Sequence, residues 1–375
     1  MSHRHHGPHD RPLIDLIPEN SHGHDLDVSD EEDAFYAVDE GDYLLHPKWR
    51  TLLTRTSSRI PRRLQRLILI YGLGLVFSLT LWFALVGPRY KAYMQDTWDM
   101  NAWPKDRFGL NKRPEFKDLV QIKKLDERYL PKGEGRLVVV GDVHGCKESL
   151  EELLKRVEFK EGQDHLVLTG DIVAKGPDSP GVVSLASRLN ASCVRGNHED
   201  RVLLSIAEAT AISGPNESPD RFGVDTLNLI KSFDADQISY LQSLPVILDV
   251  GAIGSLQNVV IVHAGLVPDV ALEDQDPYQV MNMRTITLKT GLPSEKREGK
   301  PWEMLWNHLQ QKKRKVNTRT TVIYGHDMKT GLNPQPWSFG LDSGCVTGGR
   351  LTAMVIQESG QYEMMDVNCN GGYFP

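Results

Sequence analysis

Five short apolar runs in this 375-residue chain end in side chains of the kind that bind metal ions. RLVVV (136 to 140) leads into Gly-Asp142-Val-His144-Gly, and HLVLT (165 to 169) into Gly-Asp171. SCV (192 to 194) leads into Arg-Gly-Asn197-His198-Glu, VVIV (259 to 262) into His263-Ala-Gly, and TTVIY (320 to 324) into Gly-His326. One Gly-Asp or one histidine alone would be read as a turn or a surface residue. Five such endings in order carry more weight, because carboxylates, imidazoles and a carboxamide in this number suit two divalent cations that share one carboxylate. Asp171, the lone carboxylate at its strand exit, is the expected bridge. A cation pair of that kind lowers the pKa of a bound water into the hydroxide range and clamps the attacking and leaving oxygens of a phosphoryl transfer, so hydrolysis would need no protein nucleophile.

The elements that must position these groups are legible too. The apolar runs are mostly β-branched and read as strands. Between the first two lies CKESLEELLKRV, with Leu150, Leu153, Leu154 and Val157 at helical spacing, which makes a strand, helix, strand unit. In such α/β units the strand carboxyl ends and the helix start face one crevice. Glycines beside the ligands let the chain turn sharply and come close to a small site. PWEMLWNHLQQ, with Trp302, Leu305, Trp306 and Leu309 on one face, and DQISYLQSLPVIL (236 to 248) read as packing elements.

The ordered set GDVHG, GD...KG, GNHE, HAG and YGH, closing with LDSGCVTGGRLTA (341 to 353), resembles the metallophosphoesterases of the Ser/Thr protein phosphatase type over about residues 135 to 366. Ala174, where protein phosphatases carry aspartate, and the LDSGCVTGG ending are most similar to the diadenosine-tetraphosphatase branch. A membrane anchor joined to that branch looks like the fungal vacuolar zinc-dependent endopolyphosphatases. The resemblance implies an α/β fold, a metallophosphoesterase β-sandwich flanked by helices, here preceded by a single transmembrane helix. It assigns Asp142, His144 and Asp171 to a first metal, and Asp171, Asn197, His263 and His326 to a second. It makes His198 the proton donor to the leaving oxygen, holding its proton near neutral pH, and Lys175, Arg195 and Arg284 the phosphate contacts. Asp342 would brace a ligand histidine. Zinc is the implied metal, although the donor set also accepts manganese, cobalt, iron or magnesium.

The implied activity is hydrolysis of phosphoanhydride bonds in inorganic polyphosphate by a dimetal-activated hydroxide. A phosphoprotein or a dinucleoside polyphosphate is the alternative substrate. Lys175 is a point charge without the fork of an arginine, a looser clamp that suits a linear polyanion bound in many registers. Lys175 also reads as a solvated loop residue, and Arg195 equally as a structural arginine paired with an acid. KKRK (312 to 315) is either a solvated helix end or a secondary track for a polyanion.

Outside this region, Leu67 to Gly87 is an uncharged run about 31 Å long as a helix, the thickness of a bilayer core. Lys48, Arg50, Arg55, Arg59, Arg62, Arg63 and Arg66 precede it, while Arg89 and Lys91 follow and are offset by Asp96 and Asp99. That asymmetry predicts a type II signal anchor with a cytosolic amino terminus and a lumenal remainder. The expected organisation is a disordered cytosolic tail (1 to 66), the anchor (67 to 87), a stalk with Pro104, Pro114 and Pro131 (88 to 134) and the catalytic domain (135 to 375). EGDYLL, Glu40 to Leu45, resembles acidic dileucine signals read by sorting adaptors, which points to the vacuole membrane. Asn190 and Asn216 are sequons. The net charge of -7 excludes a nucleic-acid binder working by blanket phosphate neutralisation. Cys146, Cys193, Cys345 and Cys369 lack C-x-x-C spacing, and no disulfide framework is expected.

Overall fold

In a computed structural model of the chain, residues 61–102, 119–211 and 224–371 are described. The tail through residue 60 with its Glu40 to Leu45 segment, Pro104, Pro114 and the Asn216 sequon lie outside the described residues. The chain divides into two compact units at Gly87.

Helix α1 (Arg62–Leu81) buries none of its side chains, and helical structure runs on to Asn101, longer at both ends than the apolar run itself. This helix is long and apolar enough to cross a membrane. A π-helical turn, Trp82–Val86, precedes Pro88. Proline removes one backbone donor and crowds the preceding turn, and a widened turn absorbs that.

The second unit begins within α2 (Gly87–Asn101), whose Met100 is buried in the body's core and whose Asp96 pairs with Lys300 at 2.7 Å. Residues assigned to a stalk are therefore in part built into the body. The short strand β1 (Ile122–Lys124) adds to this, pairing in parallel with β5 (Ile247–Ile253). Three residues are too few to show a strand period, which is why the sequence reads through them.

The remaining elements run β2 (Leu137–Val140), α3 (Lys147–Arg156), β3 (His165–Leu168), α4 (Ser179–Arg188), β4 (Ser192–Cys193), α5 (Asn197–Ala211), α6 (Val224–Ser232) and α7 (Ala235–Gln242). After β5 come β6 (Gln257–Val262), α8 (Pro277–Asn282), β7 (Thr285–Ile286), β8 (Pro293–Ser294), β9 (Lys300–Pro301) and α9 (Trp302–Lys312). The chain closes with β10 (Thr320–Tyr324), β11 (Asn333–Gln335), β12 (Ser338–Gly340), β13 (Arg350–Ile356) and β14 (Tyr362–Asn368). One sheet has the order β1-β5-β6-β10-β12-β11 and the other β14-β13-β2-β3-β4, with β7, β8 and β9 forming a small third sheet.

Side-chain alternation along the strands explains the layering. Leu137 and Val139 of β2 join Val259 and Ile261 of β6 and Ile323 of β10 in one core between the two large sheets. Val138 and Val140 face the other way, onto Leu150 and Leu153 of α3 and Val182 of α4. Val260 and Val262 likewise pack on Trp302 and Leu305 of α9. Both faces of both sheets are thus covered, giving helix, sheet, sheet, helix, and the strands read as continuous apolar runs for that reason.

Cys345 and Cys369 are joined in a disulfide, contrary to the reading from cysteine spacing. The pair is 24 residues apart, and the β13–β14 hairpin brings the second cysteine back to the loop that holds the first. Cys146 and Cys193 are buried and free.

Candidate metal centre

Parallel strands β2, β3 and β4 of one sheet, and β6 and β10 of the other, deliver the predicted ligands at their carboxyl ends. The crevice lies where two sheets end together, not at one open sheet. Two groups of donor atoms form there, each within 4.8 Å: His144, Asp171 and His198, and Asp171, His263 and His326. Asp171 belongs to both, as expected of a bridging carboxylate. Its Oδ2 stands 3.5 Å from His144 Nε2 and its Oδ1 3.3 Å from His263 Nε2.

The donor set fits cations for a reason beyond composition. His144 Nδ1 donates to Val173 O at 3.1 Å, His263 Nδ1 to Thr169 O at 2.9 Å, and His326 Nε2 to Asn282 O at 3.0 Å. Backbone carbonyls thereby fix each tautomer and turn the other ring nitrogen's lone pair inward. His263 Nε2 and His326 Nδ1 meet at 3.2 Å, and both stand close to Asn197 Oδ1, at 3.0 and 3.1 Å. Acceptor faces acceptor, an arrangement that a cation satisfies. Asp142 completes the set, accepting from the His326 backbone N–H at 3.0 Å.

Charge in the site follows from burial and from the opposing partners. Burial pushes His144 down to about 3 and His198 down to about 4, and it pushes His326 well below the usual imidazole value. Burial also works against a charged His263, but the Asp171 carboxylate beside it wins and raises it. Asp171 is held well below the carboxylate range by its histidines, His263 foremost, against the opposing effect of burial. Burial, then Asp342 and Asp171, raise Asp142 well above that range.

Three assignments change, those of Asp342, His198 and Arg195. Asp342 does not brace a histidine: its Oδ1 accepts from Gly344 N at 3.1 Å, and its charge is, after burial, one cause of the raised Asp142. Nor is His198 set to hold a proton near neutral pH, since burial pushes its ring down to about 4.

Lys175 and Arg284 line a cavity of about 500 Å³ together with His144, Asp171, Asn197, His198 and His326. The Lys175 ammonium reaches His144 Nε2 at 2.9 Å. Arg195 is absent from that lining. It is 6 % exposed, donates to Gln242 O at 2.9 Å and pairs with Asp200 at 3.6 Å, so the structural reading replaces the phosphate contact. A larger cavity of about 760 Å³, beside β1 and the Asn190 sequon, holds none of the ligands.

Sequence reasoning missed Glu199, although GNHE contains it. Its fully buried carboxylate accepts from four backbone N–H groups, those of Asp171, Ile172, Val173 and Gly196, at 2.8 to 3.1 Å. One side chain therefore locks the Asp171 loop to the Asn197 loop. Among the described residues, nine other than glycine have positive φ, and five are site-loop residues: His144, Asp171, Ala174, Lys175 and His326. Strain of this kind persists where surrounding bonds over-determine the backbone.

Residues 135–353 match the family described as calcineurin-like phosphoesterase. The zinc-dependent endopolyphosphatase of Saccharomyces cerevisiae is 29% identical over 266 residues, 62% of this chain and 81% of its own. A symmetrical bis(5'-nucleosyl)-tetraphosphatase of Nitrosospira multiformis is 26% identical over 286 residues, 63% of this chain and 97% of its own. The corresponding protein of Erwinia tasmaniensis is 36% identical over 134 residues, so this chain spans only 44% of that relative's length. A crystal structure provisionally described as a diadenosine tetraphosphatase superposes with a TM-score of 0.53 at 36% identity, covering 68% of this chain and all of the other.

Proposed function

Since the chain belongs to the calcineurin-like phosphoesterase family, we propose that it hydrolyses the phosphoanhydride bonds of inorganic polyphosphate. The observation that carries this choice of substrate is the lining of the site cavity. Lys175, Arg284, Lys296, Arg297 and Lys329 supply cations, and among the described residues that line the cavity there is no Phe, Tyr or Trp to stack a nucleobase. The yeast endopolyphosphatase relative supports the same reading. The tetraphosphatase relatives favour a dinucleoside polyphosphate as the second reading, with a phosphoprotein as the third.

Asp142, His144 and Asp171 would hold one divalent cation, and Asp171, Asn197, His263 and His326 the other, with zinc preferred. When bound, the pair supplies an activated water and neutralises charge on the phosphoryl group. The chain's own residues do the rest. Lys175 and Arg284 hold the non-bridging oxygens of the phosphoryl group. As the bridging anhydride P–O bond breaks and the water oxygen takes its place on phosphorus, the leaving phosphate departs as its anion and the water's proton passes to solvent, while His198, in the same cavity, would stabilise the leaving oxygen by a hydrogen bond from its ring N–H. Glu199 keeps the two ligand loops in register while this happens.

We place the domain in an oxidising lumen, with the vacuole as the compartment and the helix from Arg62 onward as a type II anchor. Two independent features support that side of the membrane: the basic flank ahead of the apolar run and the Cys345–Cys369 disulfide, a bond that rarely persists in the cytosol. Incubating the purified protein with long-chain polyphosphate, diadenosine tetraphosphate and a phosphopeptide, with and without zinc, tests the substrate. Zinc-dependent appearance of shorter polyphosphate chains on a gel is expected. A higher kcat/KM on diadenosine tetraphosphate than on polyphosphate would replace this reading with the second.

A further inference from the structure

The site cavity has a rim that the hydrolytic step does not use. Five cations line the cavity, and three of them are already engaged. Lys175 stands against His144, Arg284 Nη1 donates to Glu295 O at 3.1 Å, and the Arg297 guanidinium is taken by Asp327 and Thr330. Lys296 and Lys329 are exposed and have no acidic partner among the described residues. Of the two acids near Lys296 in the chain, Glu295 accepts from the Tyr278 hydroxyl at 3.0 Å, and Glu298 is exposed with no ion pair to Lys296 among the described residues.

These two ammonium groups stand on fixed loops. The Lys296 loop is stitched to Arg284 and the start of β7: Arg284 N donates to Ser294 O at 2.9 Å, and Thr285 Oγ1 to Lys296 O at 2.6 Å. Lys329 sits three residues after the ligand His326, in a turn closed by Gly331 N to Asp327 O at 3.0 Å and by Thr330 Oγ1 to Asp327 Oδ2 at 2.7 Å. The Arg297–Asp327 ion pair ties one loop to the other. Arg297 thus serves as a crosslink, and the two lysines are left facing solvent at the mouth.

Unpaired cations held in place beside a hydrolytic centre, in a chain of net charge -7, call for an anion. A phosphomonoester offers only the one phosphoryl group, already faced by Lys175, Arg284 and the cation pair. Resting on the polyphosphate reading above, we propose that Lys296 and Lys329 form a second anion subsite, which takes the phosphate groups of a condensed phosphate that flank the scissile bond. The subsite makes the enzyme select for chain over monoester, because only a linear polyanion reaches the metal centre and the rim together.

The experiment compares the full-length wild type with Lys296→Ala/Lys329→Ala and with Lys296→Arg/Lys329→Arg, on long-chain polyphosphate and p-nitrophenyl phosphate. Expected for the double alanine variant is a fall of about tenfold in the ratio of kcat/KM on polyphosphate to that on p-nitrophenyl phosphate. The fall is carried by KM, and the slope of log kcat/KM against log salt flattens by about 1.4, the value for two lost phosphate contacts on a single-stranded polyanion. The arginine pair should restore both. An unchanged ratio and slope in a wild type that does cleave polyphosphate would overturn the subsite alone. A fall on both substrates alike would also overturn it. A wild type active on p-nitrophenyl phosphate and inert on polyphosphate would instead overturn the substrate reading on which the subsite rests.

Discussion

Breaking the Cys345–Cys369 bond should cost stability and loosen the active site together. The bond closes a loop of 24 residues. Closure of that length removes chain entropy from the unfolded state worth about 3.5 kcal/mol at 25 °C in the loop-entropy account. For a domain of this size each kcal/mol moves Tm by about 2 to 4 °C, so Cys345→Ala/Cys369→Ala should melt about 7 to 14 °C below the wild type. The same drop should appear when the wild type is treated with dithiothreitol, and the variant should not respond further. Val346, next to Cys345, and Asp342 of the same loop both line the site cavity. Activity should therefore fall below the new Tm as well. The assay is scanning calorimetry with a thiol titration of the unfolded, unreduced protein, in which two thiols are expected, Cys146 and Cys193. Four titratable thiols and a Tm that ignores reductant would refute the reasoning.

Gly196→Ala places a Cβ against the Asp171 carboxylate and Glu199 Oε2; bound metal should weaken by about 10- to 100-fold, seen as metal lost on dialysis from a protein with wild-type circular dichroism. His198→Asn should lower kcat on polyphosphate by about 10²- to 10³-fold with metal content unchanged, and a loss of metal would move His198 from the reaction to the ligand set. Lys175→Arg should raise activity on small phosphomonoesters relative to polyphosphate, a ratio that stopped-time assays on both substrates measure. In pH titration of metal content, free imidazoles would surrender metal near pH 6.5, whereas His144, held to about 3, and His326, well below the usual value, stay unprotonated through pH 5. His263, raised above the usual imidazole value by the Asp171 carboxylate, is the ligand that competes with metal for a proton, so the ion it helps to hold should leave first as pH falls while the ion on His144 stays; loss of both ions together would contradict this. Asp164, which Arg136 pairs at 2.6 Å, is held below its ordinary value. Its stabilisation is therefore present above the unfolded value of about 3.9 and lost as pH falls through the folded one, so the Tm gap between wild type and Asp164→Asn should close below pH 4.

The candidate ligands are legible because each follows a strand made conspicuous by burial on both faces. Val138 to Val140 and Val259 to Val262 could not have been written with polar residues. The parts that stayed hidden have no such period. β1 is three residues long, and the Cys345–Cys369 contact depends on where a hairpin returns in space. Arg195 and Arg284 look alike as sequence, each an arginine near a motif. Only tertiary placement separates the one buried against Gln242 and Asp200 from the one at the cavity. His198 lies in the cavity with the candidate ligands, and the burial that pushes its ring down to about 4 is a property of the packed domain that no motif displays. The rim lysines belong to no motif at all.

Bound-metal stoichiometry, measured by mass spectrometry on wild type and Asp171→Asn purified side by side, tests the dinuclear centre most directly. Two divalent ions per chain in the wild type, and neither retained in the folded variant, is the predicted result. A wild type with one ion or none under metal-replete conditions, or a variant that keeps both, would contradict it.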